Sequence, residues 1–599
     1  MTLSYDQLTD TYPNYKQETH IKISYQDLTD MTILNECQNV TELNIDGNII
    51  NSLAFISNLK HLQALSIRYN KLPMIQIEHN CQIIDFNISE NEDLMDFEFQ
   101  KLPNLQILDM NSTGITDYSC IQCLKCLKQL SVNKCSCANL NKVFQMQQLE
   151  KLSVSDCDQV SLSGIQQLRN LSELKCNQVN WEGNALHNIL FLGSLTYLQL
   201  QACFLTDISG ISQLRQLKYL DLSLNDIVSI ADLGQLSFLS DLLLSSNKIT
   251  NISGIERLLN LKSLEASHNE LHSILNLSSL KNLIKIELAY CKLKSLEGLQ
   301  NASNLQVVDV HSNELINFTG LPNNSKLERI TANYNRLDTL NGLGFQPVLQ
   351  ELEVYGCELT SLEGVEHLPK LTVLQANNNK LQNLKGVGKL KYLKEITICC
   401  NQLNSVEEIK DCTMLEKMSM VSNELKSLNG LQQLANLKEL DVQYNQLTTI
   451  EQLKGLTQMQ SLDISNNQIT SLEGVQNMNQ LETLKAKYNK ISKLDQLTPL
   501  NNLISLVIDE NEIEDIQQIQ SLKGCTKLST VWFGNVDCYK NATNKICQNS
   551  QYQFFVINEL PQLQILDYYD NQYERGPQYF DNYISEEQRL EAKRMCEMM

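Results

Sequence analysis

Apolar residues follow one arrangement along most of the chain, and it is clearest between Met459 and Met478. If Met459 is position 1, apolar residues stand at positions 1, 4, 6, 11, 14, 17 and 20, and asparagine stands at position 9. Leu462 and Ile464, at positions 4 and 6, alternate with polar neighbours, which predicts a short strand with one apolar face. Apolar residues at every third position after Asn467 favour 3₁₀ turns or extended chain. The pattern returns at Leu481, 22 residues after Met459.

Position 9 recurs through most of the chain and defines about 23 repeats. Its occupants are Asn48, Asn70, Asn91, Thr113, Cys135, Cys157, Val179, Cys203, Asn225, Asn247, Asn269, Cys291, Asn313, Asn335, Cys357, Asn379, Asn401, Asn423, Asn445, Asn467, Asn489, Asn511 and Val536. An asparagine amide can bond buried turn backbone, and cysteine is a small alternative that tolerates burial. One repeat alone buries too little apolar surface to offset its ordering entropy, so repeats must stack. This leucine-rich repeat pattern predicts an α/β solenoid, a curved right-handed horseshoe with a concave parallel β-sheet and a 3₁₀ or irregular convex side.

The ends of the chain depart from the repeat. Residues 1–35 suit an N-terminal cap, 36–540 hold the repeat array, 541–575 suit a C-terminal cap and 576–599 suit an exposed tail helix. Three steps differ from 22 residues: 21 from Asn70 to Asn91, 24 from Val179 to Cys203 and 25 from Asn511 to Val536. The repeats from Thr113 to Cys203 lack asparagine at position 9. One interpretation of this block is sequence drift in a family that tolerates substitution at position 9, and a hinge or specialised binding segment is the alternative.

Composition and charge narrow the range of partners and cellular compartments that we expect. A net charge of −21 over 599 residues argues against nucleic acid or an anionic membrane as the main partner. We find no apolar run near the ~20 residues of a membrane span and no signal-peptide pattern at the start. Nineteen cysteines, many at repeat positions, indicate thiols used for packing in a reducing compartment. We expect a monomer in the cytoplasm, with the nucleus as the alternative.

The concave sheet offers the candidate binding surface, because position 5 points out of it at the centre of each strand. In the middle of the array these residues are Asp221, Leu243, Glu265, Glu287, Asp309, Thr331 and Glu353. Five of the seven are carboxylates, which suits either a solvated stripe or a docking strip for a partner with a basic surface. Tyrosine is a favoured interface anchor, and tyrosines stand close to this strip at Tyr290, Tyr334, Tyr355, Tyr444 and Tyr488. Trp532 occupies position 5 of the last repeat, where it is a candidate contact or packs under the C-terminal cap.

The outer half of many repeats carries Leu-x-Gly followed by Leu or Val, and the array ends in Leu560-Pro561-Gln562-Leu563-Gln564-Ile565-Leu566-Asp567. Over about residues 36–570 this resembles one leucine-rich repeat class. The class includes the regulatory subunit of protein phosphatase 1, the spliceosomal A-prime protein and several axonemal proteins. The resemblance implies an intracellular protein with a C-terminal leucine-rich repeat cap.

The phosphatase subunit holds its partner with alternating acidic and aromatic residues at position 5 and an aromatic residue in its final repeat. Asp221 and Glu265 match the acids, and Trp532 matches the final aromatic. Leu243 and Glu287 stand where that family has aromatic residues, and Val507 stands in place of a second tryptophan.

Motifs for chemistry are missing from the sequence. We find no phosphate-binding glycine loop, nucleophile elbow or Ser–His–Asp arrangement. Cys120, Cys123 and Cys126 stand at steps of three, but Cys135 points into the core, so a shared zinc site is awkward. We therefore predict no catalytic, cofactor or metal site and a non-enzymatic protein-binding scaffold. The alternatives are a phosphatase-1 regulatory subunit and an axonemal or cytoskeletal structural protein.

Overall fold

The computed structural model describes residues 2–50, 52–70, 72–75, 77, 82–97, 99–135, 140–157, 160–179, 186–323, 326–535 and 544–568. The chain divides into two compact units, Met1–Cys291 and Lys292–Met599. The predicted tail helix of residues 576–599 and the position 9 residue Val536 lie outside the described residues.

The first unit is built on short strands that pair in parallel in chain order. Most of them span positions 3 to 5 of a repeat, with the central residue buried between two partly exposed ones. They are β1 His20–Lys22, β2 Glu42–Asn44, β3 Ala64–Ser66, β5 Asp85–Asn87, β7 Ile107–Asp109, β8 Gln129–Ser131, β9 Lys151–Ser153, β10 Glu173–Lys175, β11 Tyr197–Gln199, β12 Tyr219–Asp221, β13 Asp241–Leu243, β14 Ser263–Glu265 and β15 Lys285–Glu287. Between them, β4 Met74–Ile75 and β6 Asp96–Phe97 form a separate parallel pair.

The second unit repeats the arrangement. Its strands also pair in parallel, each with the next along the chain. They are β16 Val307–Asp309, β17 Arg329–Thr331, β18 Glu351–Glu353, β19 Val373–Gln375, β20 Glu395–Thr397, β21 Lys417–Ser419, β22 Glu439–Asp441, β23 Ser461–Asp463, β24 Thr483–Lys485, β25 Ser505–Val507, β26 Thr530–Asn535 and β27 Ile565–Tyr568.

Helical segments connect the strands on the other side of the core. The α-helices are α1 Tyr5–Thr11, α2 Leu186–Ile189 and α3 Tyr552–Glu559. The 3₁₀ helices of the first unit are Thr32–Glu36, Ala54–Asn58, Phe99–Lys101, Tyr118–Cys123, Val143–Gln145, Ile165–Gln167, Ile211–Gln213, Ala231–Gln235, Ile255–Arg257 and Leu275–Ser279. Those of the second unit are Val365–His367, Val387–Lys389, Glu407–Asp411, Leu431–Gln433, Glu451–Leu453, Asp495–Leu497, Ile516–Gly524 and Lys545–Gln548.

The core lies between each strand and the helical side of its repeat. In the repeat that begins at Met459, the seven apolar residues at positions 1, 4, 6, 11, 14, 17 and 20 are all fully buried. Their regular spacing therefore fills one continuous apolar interior within the unit. The predicted solenoid, with a parallel sheet on one side and 3₁₀ turns on the other, is confirmed in each unit.

Departures from the 22-residue step leave strand register intact. Leu65 pairs with Phe86 after 21 residues, and Leu174 pairs with Leu198 after 24. Helix α2 lies in the interval between these two strands. Leu506 pairs with Val531 after 25 residues, and the nine-residue 3₁₀ helix Ile516–Gly524 occupies the interval. The helical side absorbs length changes because a one-residue slip in the sheet would turn apolar side chains outward.

The position 9 asparagines join successive repeats. Asn247 Nδ2 donates to the carbonyl of Leu244 in its own repeat at 2.9 Å and to that of Leu222 in the preceding repeat at 2.9 Å. Its Oδ1 accepts a hydrogen bond from the Ile227 N–H at 3.0 Å. Cysteine keeps part of this role, since Cys157 Sγ donates to the carbonyl of Val132 at 3.1 Å. The side chain at position 9 thus satisfies buried backbone groups of two repeats.

The described ends of the array carry added elements. Helix α1 begins with a capping box in which the Gln7 N–H donates to Ser4 Oγ and the Ser4 N–H donates to Gln7 Oε1. Strand β1 follows and pairs with β2, so sheet pairing already begins inside the segment 1–35. At the other end, β27 pairs with β26, and α3 precedes it.

Candidate functional site

The predicted position 5 acids of the first unit are held by groups of their own chain. Asp221 is only 5 % exposed, and its Oδ1 accepts a hydrogen bond from the Ser223 N–H at 2.9 Å. Lys285 Nζ lies 2.6 Å from Glu265 Oε1 and 2.8 Å from Glu287 Oε1. Burial lowers the pKa of Lys285, but its bonds to the two glutamates outweigh this effect and raise it overall. One ammonium group therefore bridges carboxylates on β14 and β15.

The position 5 carboxylates of the second unit also have hydrogen-bond partners within the chain. Asp309 Oδ1 lies 2.6 Å from His311 Nδ1 and accepts a hydrogen bond from the His311 N–H at 3.2 Å. Asn333 Nδ2 donates to Glu353 Oε2 at 3.0 Å. These carboxylates are partly exposed but have partners within the chain. A partner with a basic surface would have to compete with these contacts, and binding at the strip stays a prediction.

The predicted tyrosines lie where the strands end. Position 8 carries Tyr25, Tyr69 and Tyr290 in the first unit and Tyr334, Tyr444 and Tyr488 in the second, and we name the three residues of each unit the tyrosine edge of that unit. Their side chains are 47–69 % exposed. Their φ angles lie between +51° and +57°, the left-handed region. That conformation costs an L-residue with a bulky side chain about 1–2 kcal/mol, so folding alone would favour glycine or asparagine here.

The rings lie along the edge and contact neighbouring repeats. The Tyr25 and Tyr69 rings approach to 6.4 Å between centroids, and the Tyr290 ring stacks on His268 at 4.2 Å with 12° between the planes. The Tyr334 ring meets the partly buried Tyr355 edge-on at 4.9 Å. The tyrosines are therefore ordered by contacts within the chain while half of each side chain faces solvent.

Glycine makes room for one of these rings. Gly356 occupies position 8 of the repeat after Tyr334, with a φ of +63°. A Cβ atom at Gly356 would lie 2.7 Å from Tyr334 Cδ1. The glycine is thus required by the Tyr334 ring that lies against it, since other residue types adopt similar positive φ angles at position 8 of other repeats.

Trp532 lies on β26, where it pairs with Val507 of β25. Its side chain is partly buried, and its carbonyl accepts a hydrogen bond from the Ile508 N–H at 2.8 Å. The next residue, Phe533, is fully buried and meets the Tyr552 ring of α3 edge-on, with centroids 6.2 Å apart. Trp532 therefore lies beside the packed end of the second unit.

Comparisons with known proteins agree with this geometry. A family model described as "Leucine-rich repeat" matches residues 433–594. The chain has a leucine-rich repeat fold. A solved TLR13–ssRNA13 complex has a chain 20 % identical, with a TM-score of 0.62 over 89 % of this chain and 80 % of that one. The plant peptide hormone receptor RGFR1, solved with RGF2, is 20 % identical, with a TM-score of 0.57 over 87 % of this chain and 95 % of that one. A search of curated proteins found no match.

The leucine-rich repeat array holds two features that the sequence pattern did not reveal. A second asparagine ladder lies at position 22, where the amide donates to a carbonyl 23 residues earlier: Asn260 to Ser237 at 2.7 Å and Asn436 to Thr413 at 2.9 Å. Position 10 forms ion pairs between successive repeats, as Lys248 does with Asp226 at 2.7 Å. A search for constant polar residues at each of the 22 positions would have found both.

Cysteines of the leucine-rich repeat array serve packing and local bonding. The fifteen cysteines in the described ranges are free thiols. Cys120 Sγ donates to the Asp117 carbonyl at 3.2 Å, Cys123 Sγ donates to the Cys120 carbonyl at 3.3 Å, and burial raises the pKa of Cys123. Within the same ranges, no group of three or more His, Cys, Asp or Glu side chains is arranged to hold a metal ion. The helices of the described segments also include none with the length and apolar character to cross a bilayer.

Proposed function

We propose that this leucine-rich repeat protein is a non-enzymatic scaffold that binds other proteins through the tyrosine edge and the position 5 residues beside it. The observation that carries the proposal is the repeated placement of half-exposed tyrosines in left-handed backbone. These side chains are not needed to fill the apolar core, and exposure of their apolar rings to water is unfavourable. Tyrosine anchors interfaces because it is large, stiff and polar at one end.

The solved relatives support a recognition role in different ways. RGFR1 was solved with a peptide hormone and TLR13 with single-stranded RNA, and both share only the fold with this chain. A net charge of −21 disfavours RNA and leaves a protein or peptide as the better ligand. Free thiols in the described ranges support the proposal that the protein works in the reducing cytoplasm, where we expect it to be a monomer.

The alternative of a phosphatase-1 regulatory subunit rests on Asp221, Glu265 and Trp532. Asp221 is buried and Glu265 is bound to Lys285, so both acids would have to leave internal partners to bind a phosphatase. The axonemal or cytoskeletal alternative rests only on the resemblance in sequence class. We therefore place both behind the scaffold proposal.

Affinity purification of the full chain from lysate tests the proposal. A Tyr334→Ser, Tyr444→Ser double variant should lose recovered proteins by about thirtyfold or more, since a central interface tyrosine commonly contributes 2 kcal/mol. The matched control is Leu275→Ser, which removes a side chain of similar exposure from a 3₁₀ helix. Equal recovery with all three proteins would refute the proposal. Recovery of a phosphatase catalytic subunit that is lost on Glu265→Lys would favour the phosphatase alternative instead.

A further inference from the structure

The opposite end of the strands carries a different surface in the second unit. Position 22 precedes each strand and often belongs to the second asparagine ladder. In four consecutive repeats it carries Val348, Lys370, Tyr392 and Met414 instead. The parallel register of β18 to β21 places these residues side by side. With strands about 4.8 Å apart, they form a stripe roughly 14 Å long.

The stripe combines apolar and cationic groups. Val348, Tyr392 and Met414 are each about two-fifths exposed, and Phe345 is exposed nearby at position 19 of the first of these repeats. Lys370 Nζ lies 4.1 Å from the centroid of the Tyr392 ring, a cation–π contact. The ring is therefore positioned by a neighbouring repeat while part of it remains open to solvent.

The segment that contributes Lys370 and Tyr392 to the stripe is positively charged, unlike the chain as a whole. Between Glu366 and Glu395 the sequence contains no acidic residue and six lysines: Lys370, Lys380, Lys385, Lys389, Lys391 and Lys394. Lys380 and Lys385 form ion pairs with Glu358 at 2.9 Å and Glu363 at 3.5 Å. Within the described residues, the other four lysines form no ion pair with a carboxylate. Lys391 Nζ instead donates to the carbonyl of Asp411 at 3.3 Å.

We infer that this surface, the lysine edge formed by Lys370, Lys389, Lys391, Tyr392, Lys394 and Met414, binds an acidic peptide segment that carries an apolar side chain. Ammonium groups without carboxylate partners attract carboxylates, and they are ready to form charge-assisted hydrogen bonds. Tyr392 offers a rigid aromatic ring, and Met414 offers a flexible apolar side chain that can adapt to its ligand. The site is distinct from the tyrosine edge, because it precedes the strands that the tyrosines follow.

The size of the lysine edge favours a peptide over a long polyanion. A stripe of roughly 14 Å matches four or five extended residues at about 3.3 Å each. Acidic groups limit it on one side. Asp411 stands at position 19 of the repeat that ends in Met414, Glu407 and Glu408 line a surface hollow with Lys389, and Glu416 of the next repeat is bound to Lys438. A membrane or nucleic acid would extend beyond the lysines and meet those acids, which repel it at distances below the ~8 Å Debye length.

Selection from a displayed library of random short peptides, on the immobilised full chain, tests the inference. We expect enrichment of sequences with several Asp or Glu residues around an aromatic or aliphatic one. Labelled copies of these peptides should bind a Lys389→Glu, Lys391→Glu variant at least about thirtyfold more weakly than the native chain, as expected for two reversed contact charges. The matched control, Lys380→Glu, Lys385→Glu, makes the same charge change at lysines that are already paired and should stay within about threefold.

Further measurements separate the lysine edge from the tyrosine edge and an acidic peptide from other anionic ligands. The peptides should still bind the Tyr334→Ser, Tyr444→Ser variant, which separates the lysine edge from the proposed function of the tyrosine edge. Circular dichroism confirms that each variant is folded. Failure to select any peptide that depends on Lys389 and Lys391, or selection of dependent peptides that are not acidic, overturns the inference. Binding of phosphatidylserine vesicles or oligouridylate with that same dependence, in the absence of such peptides, assigns the edge to a polyanion instead.

Discussion

Substitution of Asn423 measures how strongly one repeat holds the next. Its Nδ2 donates to the carbonyls of Ile398 at 2.9 Å and Met420 at 3.2 Å, and its Oδ1 accepts a hydrogen bond from the Leu403 N–H at 3.0 Å. Asn423→Ala leaves the buried Leu403 N–H without this partner, whereas the Ile398 and Met420 carbonyls still accept hydrogen bonds from Asn401 at 3.3 Å and Asn445 at 2.9 Å. An orphaned buried N–H costs about 2 kcal/mol and each lost bond to a carbonyl that keeps another partner about 0.5 kcal/mol, so the expected loss is about 3 kcal/mol.

The Asn423→Cys variant should be less stable than the native chain and more stable than Asn423→Ala. At the equivalent Cys357, Sγ donates to the Ala332 carbonyl at 3.4 Å. Burial raises the pKa of Cys357 to about 11, so the thiol keeps its proton, and the backbone N–H of Leu337 faces the sulfur. Because sulfur makes weaker versions of the same bonds, we expect Asn423→Cys to cost about 1.5 kcal/mol, half the alanine value.

Hydrogen exchange followed by mass spectrometry is the suitable assay, because a long array need not unfold as one unit and opening free energies are local. Peptides covering residues 398–425 should lose protection in the order alanine, then cysteine, then native. The control is Asn436→Ala, whose exposed amide bonds only the Thr413 carbonyl at 2.9 Å and should cost less than about 1 kcal/mol. Equal losses for Asn423→Ala and Asn423→Cys, or a larger loss for Asn436→Ala, would refute this account of the ladder.

Two further buried carboxylates, those of Asp463 and Asp567, lead to separate predictions. Burial, reinforced by the charge of Asp441, holds the pKa of Asp463 above its usual range, so the folded chain binds that proton more tightly than the unfolded chain. Native stability should therefore fall as pH rises from the ordinary carboxyl pKa through the raised one, and Asp463→Asn should remove that fall and be the more stable protein at neutral pH in urea titrations. Asp567 is buried, and it accepts hydrogen bonds from the Phe533 N–H at 2.7 Å and the Tyr552 hydroxyl at 2.9 Å. Asp567→Ala should cost about 3 kcal/mol of local stability, seen as faster exchange in β27 and α3 but not in β16, and unchanged exchange would contradict this role.

Much of the fold could be predicted because the repeat fixes it locally. Leu462 and Ile464 alternate with polar residues, and both are fully buried, although the strand Ser461–Asp463 ends one residue before Ile464. Asn467 stands at a fixed distance from them, and it bonds its own and the preceding repeat. Each of these inferences needs only residues a few positions apart, since the same geometry recurs at every step.

The candidate site was less predictable because it depends on neighbouring repeats. The pattern shows that Glu265 faces away from the core, but Lys285, its ion-pair partner, comes 20 residues later and on another strand. The pattern also places Tyr334 just before a position 9 asparagine, yet it does not show the positive φ that sets its direction. Binding by these residues stays a prediction.

Position 9 has one more consequence, for how such a molecule can change in length. Each repeat of the second unit presents to its successor the groups that its predecessor presents to it. Duplication or excision of one 22-residue segment therefore rejoins matching halves of the same joint, with no new type of contact required. Each such event would shift surfaces on either side of it by about 4.8 Å, so whole-segment gain and loss can adjust the reach of a scaffold in even steps.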